Sequence, residues 1–395
     1  MQEASTNTFS PRYDSISSFS FTPCKPGGKI IVIGAGAFGG WSALFLLRKK
    51  YHVTLIDSWG PGNSRSSSGD ETRVIRSTYG RNKLYFDLNV RSLGFWKALE
   101  RQTGVDLFSN KGVLWLCHKE HAPIVDDSIP FAASHNMGYE YVSNEELKRK
   151  YSILNITDLH HAYHDPFGGF LKARDSCMLI NQLFISEGGE YLASNVRPGK
   201  IHQNKLKYIE LSDGSQLSAD AFVFACGSWL GNVFPQVLRD VITCSKQEVY
   251  YFGVPYKDAD LYENFPVWID LDGLDFYYGI PSNNGRGFKI GVDKRGETFD
   301  PTNDERVLSP EVLREARTFI AHRFPGLQDA PLLENRVCPY ENSPDGNFII
   351  DHHPDADNVI IAGGGSGHGF KHGPAIGELI TDGLSGNGQI PGLSL

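Results

Sequence analysis

Two glycine clusters mark where this chain is built to do chemistry. The first is Gly34-Ala-Gly36-Ala-Phe38-Gly39, with Asp57 standing 23 positions after Gly34. Glycines at this spacing let the backbone turn tightly and approach a pyrophosphate, which then rests on the N-terminus of the following helix. The acid is placed to accept hydrogen bonds from a ribose diol and would repel a 2′-phosphate, which argues against NADP. The second cluster, Gly363 to Gly369, follows one apolar run and precedes a helical one. A nicotinamide enzyme has little use for a second glycine turn. The longer FAD molecule does, because its flavin end needs a returning strand, loop and helix. FAD is therefore the expected cofactor.

Other residue types offer chemistry without settling it. Arg73 and Arg76 lie three apart and would share one face of a helix. Arginines pair bidentately with carboxylates and phosphates, but two solvated surface arginines are the plainer local reading. Lys289 sits among apolar neighbours in Gly287-Phe-Lys289-Ile-Gly-Val-Asp293. It either points inward or guards an exposed sheet edge. Cys338, before Pro339 and Tyr340, reads locally as a small buried hydrophobe. His352, His353, His368 and His372 invite a metal reading. However, His368 and His372 lie in glycine-rich backbone rather than on a regular helix, so all four read as hydrogen-bonded polar groups and no metal is expected.

The elements that must hold these residues follow from the apolar pattern. Lys29–Ile33 is a short β-branched run, as in a strand buried on both faces. A helix over 40–50 and a second strand over 52–56 complete a βαβ start. Residues 60–70 form a polar loop too long for a simple connector. Helices are predicted over 84–101, 310–324 and 374–382, and strands over 112–117, 196–211, 221–225 and 358–362. The aromatic, alternating stretch over 244–295 suggests an antiparallel sheet with one face lining a cavity.

Composition narrows the function. The 395 residues carry a net charge of -8, which disfavours tracking a phosphate backbone. The six cysteines form no C-x-x-C pair, which fits a reducing compartment, with the cytoplasm as the default. No apolar run approaches the ~18 residues of a membrane span. Nucleic acid and membrane are thus not expected partners.

The chain is read as an α/β (α+β) protein: a discontinuous Rossmann-type FAD-binding domain with an inserted, mostly antiparallel substrate domain. Residues 1–27 form a flexible N-terminal arm. Residues 28–110, 168–242 and 339–390 form the FAD-binding domain, and residues 111–167 and 243–338 the substrate domain.

Several motifs occur together in one order: Gly34 to Gly39, Ser68-Gly-Asp-Glu-Thr72-Arg73-Val-Ile-Arg76 through Tyr79-Gly80, Tyr278-Gly-Ile-Pro281, Phe288-Lys-Ile-Gly291, Cys338-x-Tyr340-x-Asn-Ser-Pro-Asp345, Phe348-Ile-Ile-Asp351, and Ser366-Gly-His-Gly-Phe-Lys371. From about residue 29 to about residue 385 the chain resembles the monomeric sarcosine oxidase and N-methyltryptophan oxidase family of FAD amine oxidases. The resemblance implies that Cys338 carries FAD through a thioether to the flavin 8α carbon. It implies that Arg76 and Lys371 bind a substrate carboxylate, that Arg73 lies against the flavin, and that Tyr278 and Tyr340 line the substrate cavity. Lys289 would sit near flavin N5 and serve oxygen activation. Phe38, Ser68, Thr72, Gly365, Gly367, His368, Gly369 and Phe370 would complete the cofactor site.

Two positions depart from that family. One residue, Glu71, is added inside the family's Gly-Asp-Thr-Arg, and Asp293 stands where close relatives place a histidine. An acid at Asp293 is suited to a cationic amine or another polar group. The expected reaction is oxidation of the C–N bond of an N-substituted or cyclic α-amino acid to an imine, with O2 reduced to H2O2 and the protein acting as a monomer. A neutral amine needs no protein base, so none is named. The alternative is a flavin dehydrogenase that passes electrons to an acceptor other than O2.

Overall fold

A computed structural model describes residues 20–271, 276–388 and 393. The expected strand Lys29–Ile33 lies inside a six-stranded sheet. Across that sheet the strands run Ile349–His353, Ala356–Gly363, Ala221–Phe224, Lys29–Ile33, His52–Asp57 and Glu190–Ala193. All pairs are parallel except the antiparallel pair formed by the first edge strand. Such a sheet is buried on both faces, which explains the continuous β-branched run. The helix Ala37–Arg48 begins earlier than predicted and takes the last glycine of the fingerprint into its first turn. It packs against the terminal helix Gly373–Leu384, where a Cβ on Gly377 would come within 2.8 Å of the Trp41 backbone.

The second layer is an eight-stranded sheet. Its order is Leu332–Asn342, Thr243–Phe252, Phe288–Asp293, Phe276–Ile280, Val267–Leu271, Val113–Cys117, His161–Asp165 and Glu140–Val142. Only Val267–Leu271 and Val113–Cys117 pair in parallel. The expectation of a mostly antiparallel aromatic sheet is met.

Register decides which side chains share a face, because strand side chains alternate. Ile280 lies opposite Lys289, Tyr278 opposite Gly291, and Phe276 opposite Asp293. Lys289 also faces Tyr251, while Cys338 faces Gln247 and Tyr340 faces Ser245. These odd-phase and even-phase sets put Lys289, Tyr278, Asp293, Cys338 and Tyr340 on one side of the sheet. The other phase, including Trp268, Phe288 and Ile290, packs into a core with Ile320 and Phe324 at the end of the helix Pro310–Arg323. Gly291 leaves room for its cross-strand neighbour: a Cβ there would lie 2.8 Å from the Tyr278 ring.

The segment Thr72–Ile75 is a strand paired with Gly169–Lys172, so Arg73 and Arg76 do not share a helical face. Two expectations need correction. The run over 196–211 is two short strands, Val196–Pro198 and Ile209–Leu211, paired antiparallel. Of the arm expected to be flexible, residues 1–19 lie outside the described residues, and residues 20–27 are docked. Phe21 and Cys24 are buried, and the Cys24 N–H donates to the Leu384 carbonyl at 2.8 Å. The Leu332–Asn342 strand also runs unbroken through the 338/339 division.

Candidate functional site

The two sheets meet along a cavity of about 540 Å³, within the roughly 300–1,000 Å³ usual for ligand pockets. Every site residue expected from the sequence lines it except Gly39 and Cys338. Gly39 lies under the turn, where a Cβ would meet the Gly34 carbonyl oxygen at 1.9 Å. Cys338 is buried directly behind Arg73, whose Nη2 lies 3.1 Å from the cysteine Sγ.

One end of the cavity is shaped for a nucleotide. Gly34 adopts φ +104°, and a Cβ there would lie 2.2 Å from the Ala225 carbonyl oxygen, so only glycine fits. The N-cap residue of the helix Ala37–Arg48 is Gly36, which has no side chain to cap it; the first turn holds no acid, and the Ala37 N–H donates to Ser68 Oγ at 3.3 Å. The remaining N–H groups of the first turn and the helix dipole make this end an anion site. Asp57 accepts the Ala35 N–H at 2.8 Å through Oδ2 and those of Trp59 and Gly60 through Oδ1. These bonds fix the carboxylate at the cavity wall beside the fingerprint. A cradle cleared of Cβ atoms, a helix N-terminus without acids and an acid at the ribose position fit FAD.

The middle of the cavity holds a buried charge cluster. Asp70 is paired with both Lys289 and Arg73, and it accepts the Tyr251 hydroxyl at 2.7 Å. Burial alone would raise this carboxyl, but the two cations hold it well below the usual range. Lys289, itself buried, also donates to the Thr72 carbonyl at 2.8 Å. Burial pushes its ammonium down, against the pull of Asp70. Arg73 donates to the Ser67 carbonyl at 2.7 Å. Burial raises the Cys338 thiol, and the charge of Arg73 works in the opposite direction.

The added residue Glu71 does not disturb this cluster. Its carboxylate turns outward to Arg286 at 2.6 Å and accepts Asn283 at 3.0 Å. Asp70 is left facing inward.

The far end carries the groups expected to meet a substrate. Arg76 and Lys371 lie over the same Tyr79 ring, at 4.7 and 5.2 Å from its centre. Lys371 is buried and donates to the His368 carbonyl at 2.8 Å. Burial and the neighbouring Arg76 together push its ammonium well down. Tyr278 and Tyr340 are hydrogen-bonded neighbours whose phenols burial raises, so both stay neutral. Asp293 lies 3.4 Å from Arg295. Although Thr72–Ile75 is a strand, Arg76 follows directly after it, and both arginines reach the cavity. Among the described residues, no group of three or more His, Cys, Asp or Glu is placed to hold a metal. Among them, too, no helix is long and apolar enough to cross a membrane.

Sequence reasoning missed two buried acids. Asp70 lay inside a quoted motif without a role. Glu341 occupied a variable position of another motif, and its strand phase, opposite to that of Cys338 and Tyr340, gave no signal. Glu341 is buried at the cavity wall, and its Oε2 has no hydrogen-bond partner. Burial lifts its carboxyl to about 7 despite bonds from the Gly364 and Gly365 backbone.

The sequence model of the DAO family, described as FAD dependent oxidoreductase, matches residues 29–383. The chain is 29% identical over 359 residues to monomeric sarcosine oxidase of Bacillus sp. (strain B-0618), covering 89% of this chain and 90% of that one. It is 26% identical over 358 residues to N-methyl-L-tryptophan oxidase of Yersinia pestis (strain Pestoides F), covering 89% and 93%. Among solved structures, L-proline dehydrogenase from P. horikoshii superposes with a TM-score of 0.78 at 22% identity, over 91% of this chain and 93% of that one. Fructosyl peptide oxidase from E. terrenum gives 0.79 at 20% identity, over 93% and 91%. These two likenesses speak to the fold.

Glu341 gives a pH signature. The folded protein holds its proton more tightly than the unfolded chain, so this residue costs stability as pH rises from about 4.3 toward neutrality. Glu341→Gln avoids that loss. Between pH 5 and pH 8 the stability of the Gln variant relative to wild type should rise by on the order of 3 kcal/mol in urea unfolding. A difference independent of pH would show that the carboxyl is not held neutral.

Proposed function

The chain belongs to the DAO family of FAD dependent oxidoreductases, and from that premise we propose that it oxidises the C–N bond of an N-substituted, N-methyl or cyclic α-amino acid with O2 as electron acceptor. One observation carries this reading. Half-buried Arg76 and buried Lys371 share one aromatic platform, the Tyr79 ring, at the wall of a cavity that buried Lys289 also lines. Paired cations in a dry site select a carboxylate, because charge-assisted hydrogen bonds gain strength where water is excluded.

FAD, when bound, supplies the two-electron carrier between substrate and oxygen. The chain's share is position and charge. Arg76 and Lys371 hold the carboxylate and so orient the adjacent C–H and C–N bonds. Neutral Tyr278 and Tyr340 wall the reacting carbon without adding a charge. The substrate loses one C–H and one N–H bond as C=N forms. O2 takes both electrons and two protons to become H2O2. Water then hydrolyses the imine to an amine and an aldehyde or keto product. Lys289 supplies a fixed positive charge where negative charge develops on O2. Asp293, near the substrate end, favours a substrate with a polar or cationic group beyond the amine.

Cys338 is the proposed covalent anchor for FAD. Burial raises its thiol, and Arg73 beside the sulfur offsets part of that rise toward the thiolate, which is the reactive form. Forming the thioether removes the thiol proton, one further proton and two electrons, and O2 accepts them. The enzyme would act as a monomer in the cytoplasm.

Removing one partner of a desolvated charge contact costs ~2–5 kcal/mol. Arg76→Ala should therefore weaken amino-acid substrates by ~30-fold or more while sparing the matching decarboxylated amines. Anaerobic bleaching of the flavin by paired substrates measures this. Equal losses for both classes would remove the carboxylate role. Acid-denatured wild type should keep its yellow colour, and Cys338→Ser should release all of its flavin. Release from the wild type would rule out the anchor.

A further inference from the structure

Glu71, the added residue, closes a ring of charges that returns to Asp70. Its carboxylate lies 2.6 Å from Arg286 Nε and accepts Asn283 at 3.0 Å. Arg286 sits in the turn between the strands Phe276–Ile280 and Phe288–Asp293. Its Nη2 donates to both oxygens of Glu334, at 2.7 and 3.0 Å. Glu334 also accepts from Arg336 on the same strand, Leu332–Asn342. Arg336 Nε lies 3.6 Å from Asp70 Oδ1. Asp70 and Glu71 are chain neighbours, so three acids and two arginines form a closed loop. Glu71 itself does not line the cavity.

The ring ties together the polar loop, the turn over 281–287 and the strand Leu332–Asn342. That turn is pressed on the sheet: Gly287 has φ +105°, and a Cβ there would lie 2.8 Å from the Phe252 carbonyl oxygen. On the opposite side, the carbonyls of Asp70 and Glu71 accept the Arg174 and Ala173 N–H groups. The groups that face Lys289 are Asp70 and Glu71 from the loop, Arg73 from its strand, Tyr251 from Thr243–Phe252 and Cys338 from Leu332–Asn342. Lys289, Arg73, Arg336 and the Tyr251 hydroxyl all compete for Asp70. The ring sets the outcome, because Glu334 draws Arg336 away and Glu71 pins the adjoining residue. A single partly exposed ion pair holds little, whereas several charges in one network hold a geometry.

We propose that Glu71 is a positioning residue: through Arg286, Glu334 and Arg336 it fixes the Asp70 carboxylate against Lys289, and so keeps the Lys289 charge in place for oxygen. This rests on the oxygen role proposed above for Lys289. Opening the ring at an acid or at an arginine has one and the same result, a looser Asp70 and a Lys289 that gives up its proton more readily. Charge acting only through space gives opposite signs. Loss of the Glu71 anion would then make Lys289 release its proton more readily, and loss of the Arg286 cation would make it hold on. The sign of the two effects therefore separates positioning from plain electrostatics.

The FAD-loaded protein tests this with Glu71→Gln, Arg286→Gln and the double variant. Two quantities are read: the pH at which reoxidation by O2 falls to half its plateau, and the reduction potential of the flavin at constant pH. Both single variants should lower the midpoint by about one pH unit, a tenfold loss of proton affinity at Lys289. Both should also lower the potential, because the positive charge beside the flavin is less firmly held. The double variant should match either single one, since the ring opens only once. A rise in midpoint with Arg286→Gln, or a rise in potential with Glu71→Gln, is what charge through space gives, and either overturns the proposal. Values unchanged from wild type in both variants overturn it as well. Lys289→Met, measured alongside, separates this inference from the reading it rests on: reoxidation at the wild-type rate there removes the oxygen role, and this inference with it. If Glu71→Gln does not fold, Arg286→Gln decides alone. Its midpoint falls if the ring positions Asp70 and rises if charge acts only through space.

Discussion

The site depends on one buried carboxylate. Asp70 pairs with two cations that the fold brings together from different elements, Lys289 from the eight-stranded sheet and Arg73 from the short strand that follows the polar loop, and Arg336 lies 3.6 Å from its other oxygen. Breaking a buried pair by removing one partner typically costs ~3–5 kcal/mol, because the remaining charge is left uncompensated. Without Asp70, two like charges would face each other in a dry cavity. With it, Lys289 stays cationic and anchored, and Arg73 is held against Cys338. Glu71 keeps this geometry by taking its own charge outward to Arg286.

Around that cluster the pleat of the sheet divides labour. Alternate residues of neighbouring strands meet the cavity, while the intervening aromatics pack against the helix Pro310–Arg323. A shift of register by one residue would bury Lys289 in an apolar core and turn Phe288 into the site. The parallel sheet contributes differently, chiefly through backbone: a positive-φ glycine and a helix N-terminus, with the Asp57 carboxylate fixed beside them. The cavity thus has a nucleotide end shaped mainly by main chain and a substrate end shaped by charged side chains.

Much of this was legible in the sequence where the determinant is local. Gly34 to Gly39 and Asp57 announced the nucleotide cradle because backbone conformation is written in glycine spacing. Lys289 was ambiguous because inward and edge lysines look alike on one strand. Its strand has a partner on each side, Thr243–Phe252 and Phe276–Ile280, so it is no edge. Arg73 and Arg76 would share a face only on a helix, and pairing with Gly169–Lys172 makes their segment a strand. The resemblance to amine oxidases supplied roles that spacing alone did not. Asp70, Glu341 and the Glu71–Arg286 pair had no local signature, since their partners lie far along the chain.

The central claim is that Lys289, held by Asp70, places a fixed charge for oxygen rather than for substrate. Two unit charges about 4 Å apart at an effective dielectric near 20 interact by ~4 kcal/mol. Each 1.36 kcal/mol is tenfold in rate, so the effect reaches roughly two to three orders of magnitude. Stopped-flow measurement of the two half-reactions in Lys289→Met tests this most directly. The expected result is normal FAD binding, modestly slowed anaerobic reduction by substrate, and reoxidation by O2 slowed ~100- to 1,000-fold while an artificial dye still accepts electrons. Reoxidation at the wild-type rate with only the reductive half impaired would contradict the claim and assign Lys289 to the substrate.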